Sequence, residues 1–522
     1  MSHATLADVF DATAARHAAR LAVRETRDWS YAELRAWSAR ITDALAPACG
    51  MPGARVGLMM PNSAAYVAAF YAIARAGAVI APLNVRYRSQ ELVYYLGDTQ
   101  AAAVIVPPAL LPIVDGHRRD ARGAARRSSS STTTAGARSR APGAPPSGPR
   151  AGPIRRRSFI STPSGSTGAP KRVVRTHAQL LFELERLARL FALDGDDRLL
   201  GAAPFTHVNG LVRTMMTSMY VGATLYPVRE FRRREVLELV TRERVTYFGA
   251  VPSLFVILAD TPLRGDVDLA SCATVFSASA PLLPADNRRF REKYGHWIRQ
   301  LYGSTETGTI SVNLDADVGG LARVGRTAAP GRPLPRWSTR PAGRCRRRGG
   351  RGRIASPGAV TSYDGNPEAN AAAFRDGWYW SGDLGRMTAD GALTLTGRKK
   401  LLINRGGFKV NPLEVEEAIA SHAKVREVAV VGAPSGHGDD LVRAVIVTQR
   451  AVHGRGDRRP LRHPDRRLQD PEPDRVPRRA SQERHLEALA SRALTRSRSR
   501  YGVPKSPSEA ERVITPDVLS GM

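Results

Sequence analysis

Ser161-Thr162-Pro163-Ser164-Gly165-Ser166-Thr167-Gly168-Ala169-Pro170-Lys171 is the stretch on which the reading of this chain turns. Its hydroxyl residues and glycines are small enough for successive backbone N–H groups to approach the oxygens of a phosphate, and Lys171 adds a point of positive charge. It is not the nucleotide loop that joins Gly, Lys and Ser or Thr in one run, because Lys171 follows Pro170 and precedes Arg172. A loop of Ser, Gly and Thr alone would be an ordinary flexible turn. The fixed order Ser-Gly-Ser-Thr-Gly-x-Pro-Lys is far more specific. It predicts a phosphate site built from Thr162, Ser164, Gly165, Ser166, Thr167, Gly168 and Lys171.

On either side of this loop the chain alternates strand and helix patterns. Residues 5–20 have the spacing of an amphipathic helix, Leu21 to Val23 and Trp29 to Tyr31 flank a turn, and Tyr31 to Leu45 reads as a helix. Val56 to Met60, Ala78 to Pro82 and Ala102 to Val106 are compact apolar strands, separated by helical stretches through Ala76 and over Glu91 to Gly97. The alternation resumes after residue 158 and runs to about 310, which predicts layered α/β structure with parallel pairing. From 398 the pattern changes to a smaller α+β unit: Leu401 to Ile403, a helix from Pro412 to Ser421, and strands near Val425 to Gly432 and Leu441 to Thr448. With 522 residues the chain exceeds the roughly 250–300 at which a single core stops growing. We therefore expect a large domain over 1–397 and a small one over 398–522.

The net charge of +30 invites a nucleic-acid reading, but its placement argues against one. Residues 117–157 hold 11 arginines and one acid, 336–353 hold 8 arginines and no acid, and 450–500 hold 15 arginines and 7 acids. Those stretches carry 26 of the 30 excess charges, so the rest is near neutral. They also lose hydrophobic periodicity. We read them as local out-of-frame translation of a GC-rich gene, with disordered insertions or basic arms as alternatives. Resequencing the gene decides this. No apolar run approaches the ~18 residues of a membrane span, and the N-terminus lacks the unbroken apolar core of a signal peptide. Cys49, Cys272 and Cys345 are scattered without metal spacing. These features predict a cytoplasmic protein with no integral membrane association and no nucleic-acid partner.

Further motifs follow the loop in order: Pro204-Phe205-Thr206-His207-Val208-Asn209-Gly210, Val251-Pro252, Ser277 to Leu282, Tyr302-Gly303-Ser304-Thr305-Glu306, Trp380-Ser381-Gly382-Asp383-Leu384-Gly385, and Gly397-Arg398-Lys399-Lys400 through Gly406-Gly407-Phe408 and Pro412-Leu413-Glu414. With the Ser161–Lys171 loop, this series resembles the adenylate-forming superfamily of acyl-CoA synthetases, peptide-synthetase adenylation domains and beetle luciferases. The resemblance covers roughly residues 1–116, 158–335 and 354–449.

The resemblance implies a large N-terminal domain of layered α/β subdomains with mixed sheets and a small mobile α+β C-terminal domain. It implies ATP, Mg²⁺ and coenzyme A as cofactors and a small carboxylic acid as substrate, activated as acyl-AMP and passed to the CoA thiol. A carrier protein is the alternative acceptor, and a catalytically impaired ATP-binding protein the alternative of another class. Carboxylates are poor electrophiles, so such a site must neutralise phosphate charge and align the nucleophile. By resemblance, Glu306 would hold Mg²⁺, Thr305 would meet the α-phosphate, and Tyr302 would stack on adenine beside Gly303 and Ser304. Ser279, Ala280 and Pro281 would wall the adenine, and Asp383 and Arg398 would take the ribose. His207 would gate the carboxylate pocket without acting as a base, since the acid is already ionised near pH 7. Lys400 would be the hinge of the small domain, and Gly406 and Gly407 would line the pantetheine tunnel. Gly249, Ala250 and Gly303 suggest room for an acyl group.

One part of the pattern is missing. The superfamily ends in a Pro-Lys/Arg-x-x-x-Gly-Lys motif whose last lysine contacts the carboxylate and α-phosphate, and Val503-Pro504-Lys505-Ser506 is only a faint echo of it. Losing such a charge costs on the order of 10²–10³ in rate, by analogy with single oxyanion donors. The chain is therefore expected to adenylate or to fold poorly, with the region near 336–353 similarly damaged.

Overall fold

The computed structural model describes residues 4–49, 51, 53–87, 89–112, 114, 157–161, 171–262, 265–314, 323–326, 336–340, 350–387, 392–405, 408–422, 425–434 and 440–448. It is a mixed α/β protein, as the sequence predicts. One sheet has six strands in the order Tyr363–Asp364, Arg172–Thr176, Arg157–Ser161, Val79–Pro82, Arg55–Leu58 and Ala103–Ile105. The apolar strands 55–58, 79–82 and 103–105 pair in parallel, as their alternation with helices requires. Strands 157–161 and 172–176 are instead antiparallel, with Ser161 opposite Val173. Ser161 and Arg172, on either side of the undescribed Ser/Gly/Thr residues, thus belong to one strand pair.

A second sheet of fourteen strands runs through the molecule. Its middle is parallel: Thr224–Pro227, Arg198–Gly201, Tyr247–Ala250, Thr274–Ser277 and Arg299–Ser304 are neighbours in that order. At Arg299–Ser304 the pairing changes sense, and Gly308–Val312 folds back antiparallel on it. The helix Ala64–Arg75 packs between layers and is buried almost all round, which its run of Ala, Val, Phe and Ile allows. Three helix starts are fixed by reciprocal capping boxes, Thr5 with Asp8, Ser30 with Glu33 and Thr176 with Gln179. Residues 403–448 form a hairpin, a helix over Pro412–Ala420 and a second hairpin, and Ile403, Val415, Val430 and Ile446 share a buried cluster of their own there.

Within the Arg-rich stretch 336–353, Arg336–Arg340 pairs antiparallel with Gly350–Ala355, and the latter joins Trp378–Met387 in the large sheet. Backbone ladders need no side-chain pattern, and Ile354 gives the pair a buried anchor. The Arg-rich residues 117–156, those after 448 and the echo at 503–506 lie outside the described residues.

Candidate active site

Open α/β sheets bind ligands beyond the carboxyl ends of their parallel strands. Here that edge is formed by Ala250, Ser277 and Tyr302 on three adjacent strands. After Ser277 the chain turns outward through Ser279, Ala280 and Pro281, all exposed. Ser279 has φ of +77°, a left-handed conformation that costs a non-glycine residue about 1–3 kcal/mol and that clusters at ligand sites. After Tyr302 the turn 304–307 is closed by the Thr307 hydroxyl, which accepts from Ser304 N at 3.2 Å and lies 3.0 Å from Ser304 Oγ. This turn presents Thr305 and Glu306, both half-buried.

Glu306 is held from a distant segment. Tyr363 Oη donates to its Oε1 at 2.9 Å, and its backbone oxygen accepts from Val360 N at 2.8 Å. Tyr379 Oη lies 3.4 Å from Tyr363 Oη. Burial first, and then the negative Glu306, hold the Tyr363 hydroxyl well above its ordinary pKa, so it stays a donor. Lys171 Nζ lies 4.9 Å from the centre of the Tyr363 ring. The structure thus brings Lys171 and Glu306 to opposite parts of one tyrosine, which the motifs alone did not reveal. Thr162, Ser164, Gly165, Ser166, Thr167 and Gly168 lie outside the described residues, as do Gly406 and Gly407.

Asp383 forms a second cluster. It is 6% exposed on the strand Trp378–Met387. Tyr302 Oη donates to its Oδ2, Arg398 Nε to its Oδ1 at 2.5 Å, and its own N–H bonds Ser381 Oγ at 3.1 Å. A carboxylate has about four acceptor sites, and the described residues fill two of those on Asp383. Burial, and then the Asp383 charge, push the Tyr302 hydroxyl far above its ordinary pKa. Lys400 stands exposed in the turn Lys399–Leu401 directly after Arg398. Just before it, Gly397 has φ of +151°, and a Cβ there would come within 2.8 Å of Asn411 Oδ1. Asn411 in turn bonds Thr396 O and caps the helix Pro412–Ala420, so it ties the end of the large sheet to the C-terminal unit.

His207 sits at the exposed entrance of the helix that begins at Val208. The loop before it is clamped by Asn62, whose Nδ2 donates to Gly201 O and Ala203 O at 2.9 Å and whose Oδ1 accepts from Phe205 N at 2.8 Å. Tyr66 Oη adds a bond to Phe205 O. Although the residue as a whole is exposed, partial desolvation of the imidazole lowers its pKa from the ordinary value.

Beneath the turn lies a buried charge network that the motifs do not mark. Arg175 Nη1 meets Glu183 Oε2 at 2.5 Å, and Thr309 donates to Glu183 Oε1 from both its N–H and its hydroxyl at 2.8 Å. Arg213 Nε donates to Thr309 Oγ1 at 3.0 Å. The only trace in the sequence is charge inside apolar runs, Glu183 in HAQLLFELERLARL and Arg213 in VNGLVRTMM. The network also corrects the reading of the small residues. The space over Gly249 is filled by the Phe276 ring, and a Cβ on Gly303 would meet Gly308 O and come within 2.6 Å of Arg213 Nη2. Those two glycines make room for the protein itself.

The sequence profile of the AMP-binding enzyme family matches residues 10–341. The chain belongs to that family. Within it, the chain is 31% identical to a feruloyl-CoA synthase of Amycolatopsis sp over 421 residues, which cover 80% of this chain and 83% of that one. It is 30% identical to a long-chain-fatty-acid–CoA ligase of Mycobacterium tuberculosis, with the same coverage. Its fold superposes on the ATP-bound MatB of Rhodopseudomonas palustris with a TM-score of 0.71 at 27% identity, covering 86% of this chain and 90% of the other. By descent and fold it belongs to the acyl-adenylate-forming ligase superfamily. Among its described residues no group of three or more His, Cys, Asp or Glu could hold a metal ion, and no helix is long and apolar enough to cross a membrane.

Proposed function

We propose that this AMP-binding family member uses ATP to join a carboxylic acid to AMP and then passes the acyl group to the thiol of coenzyme A. The observation that carries the reading is the convergence of Lys171 and Glu306 on Tyr363, beside the Tyr302–Asp383–Arg398 cluster. The first group is suited to a polyphosphate. The second pairs an aromatic ring at the edge of a buried cluster with a carboxylate, the groups that adenine and a ribose diol require. The ATP-bound neighbour and the CoA-ligase names of the relatives support both halves.

In the first step a carboxylate oxygen of the acid attacks the α-phosphorus and pyrophosphate leaves. Lys171 and the 162–168 loop neutralise the phosphates, and Thr305 faces the α-phosphate. Glu306 is the residue to hold Mg²⁺, which needs one or two protein carboxylates and completes its shell with phosphate oxygens and water. The ion would supply charge neutralisation at the leaving group. Neutral His207, at the mouth of its helix, orders the acid and excludes water. In the second step the CoA sulfur attacks the acyl carbonyl and AMP leaves. Lys400 marks the pivot for the 398–522 unit, and Gly406 and Gly407 line the thiol's path. Mg²⁺-dependent pyrophosphate release driven by one class of aromatic or fatty acid is the expected result, with acyl-CoA formed when CoA is added. Transfer to a carrier protein but not to CoA would select the other acceptor. The lost C-terminal lysine motif favours a second reading, an impaired enzyme, for which the result is nucleotide binding without pyrophosphate release.

A further inference from the structure

Arg213 is the buried charge that this mechanism does not use. It is 3% exposed, and its Nε is satisfied by Thr309 Oγ1. Among the described residues neither terminal nitrogen has a hydrogen-bond partner, and neither is fully sealed from water, while Nη2 packs against Gly303 in the Tyr302–Glu306 motif. Buried guanidinium groups are normally paired, because an unmatched charge away from water is costly. The nearest acid, Glu183, is already engaged by Arg175 and by two bonds from Thr309, so two buried arginines share one carboxylate and a positive charge is left over. Burial lowers the Arg213 pKa, yet a guanidinium stays protonated in proteins.

Other unmatched polar atoms lie at the same strand ends. Asn209 Nδ2 bonds Ala250 O at 3.3 Å while its buried Oδ1 has no partner, and buried Ser277 Oγ, in register with Ala250, has none either. Asn209 and Arg213 lie on the helical stretch that starts at the exposed His207. Arg213 is six residues further in, which puts it about 7–9 Å along the axis from the entrance.

We infer that Arg213 binds a second anionic group at the far end of the acyl substrate, so that the acid activated here is a short dicarboxylic acid whose reacting carboxylate lies near His207 and Thr305. This rests on the acid-activating reading above. It specifies that reading by setting a charged floor where a fatty chain would need an apolar one.

The test measures binding, so it does not depend on turnover. Calorimetry on the full chain with Mg²⁺ and an α,β-methylene analogue of ATP compares matched acids: butyrate with succinate, hexanoate with adipate, octanoate with suberate. The expected result is that one diacid binds about 30-fold or more tightly than its matched monoacid, the lower end of what one partner of a buried hydrogen-bonded charge pair contributes. Arg213→Met is expected to bring that ratio close to one, and Arg213→Lys to keep part of it. A wild-type protein that prefers the monoacids overturns the inference, and this decides even if the variant fails to fold. Equal weakening of both acids in a folded Arg213→Met also overturns it, because Arg213 would then serve the reacting carboxylate, the nucleotide or the fold. Pyrophosphate release by the wild type with monoacids alone leaves the activating reading standing without the diacid. Binding of none of the acids in the presence of the nucleotide analogue overturns the diacid inference, and pyrophosphate release with any other acid then decides whether the activating reading stands.

Discussion

Tyr363 and Glu306 are 57 positions apart in sequence, yet the tyrosine hydroxyl donates to the carboxylate at 2.9 Å while its ring lies 4.9 Å from Lys171 Nζ. One side chain therefore sets the spacing between two groups proposed to share a polyphosphate.

Tyr363→Phe keeps the ring and removes the bond. Hydrogen bonds to charged groups contribute about 1.5–3 kcal/mol, so kcat/KM for pyrophosphate release is expected to fall about 10–100-fold. The Mg²⁺ concentration for half-maximal rate should rise with it, which a purely structural loss would not produce. An unchanged Mg²⁺ dependence would show that Tyr363 does not orient Glu306 for the metal.

Asp383→Asn should raise the KM for ATP by about 30-fold or more, since it removes the charge that answers Arg398 and the acceptor of Tyr302 in a buried setting. The check is nucleotide titration beside a thermal melt. A normal KM with a lowered Tm would assign Asp383 to the fold alone.

Glu183→Gln leaves Arg175 and Arg213 buried without their shared carboxylate. Breaking such a pair costs about 3–5 kcal/mol, so denaturant unfolding of the large domain should shift by that order. A shift within about 0.5 kcal/mol would show that the site is wet enough to solvate both arginines.

His177 gives a pH dependence. Leu6 N donates to its Nδ1 at 3.2 Å, and burial pushes its pKa down to about 4 from 6.5. The folded form therefore resists a proton that the unfolded chain accepts. Its stabilisation is fully present above pH 6.5 and is lost as pH falls from 6.5 towards 4, by up to about 3 kcal/mol. His177→Asn keeps an acceptor for Leu6 N, and its stability should fall less steeply over that window. Parallel curves for the two proteins would rule out His177 as the source.

Much of this was legible in the sequence, for definite physical reasons. Val79–Pro82 and Ala103–Ile105 are short apolar runs between helical patterns, and they pair in parallel as such runs do. The Tyr302–Glu306 and Trp380–Gly385 motifs are local and legible, but the bond between Tyr302 and Asp383 joins two segments 81 positions apart and was not. Tyr363 was not legible, because in NPEAN-flanked loop sequence it is one tyrosine among others and only the third dimension puts it on Glu306. Gly249 and Gly303 misled for a related reason. A missing side chain shows that something approaches, and here it is Phe276 and Arg213. The strands at 336–340 and 350–355 were hidden because arginines mask a ladder that the backbone makes by itself.

The short strand Tyr363–Asp364 pairs with Arg172–Thr176, and Arg172 Nε reaches Asp364 O from 192 positions away. On the ribosome this has a consequence in time. At about 5–20 residues per second, the strand that follows Lys171 waits about 10–40 s for its partner. During that interval the strands 55–58 and 79–82 can already bury their faces while the edge of 172–176 stays open. The strand that brings Tyr363 to Lys171 and Glu306 is therefore also the piece that closes an exposed sheet edge, so a nascent chain arrested before residue 363 would be at once inactive and prone to pair with its neighbours.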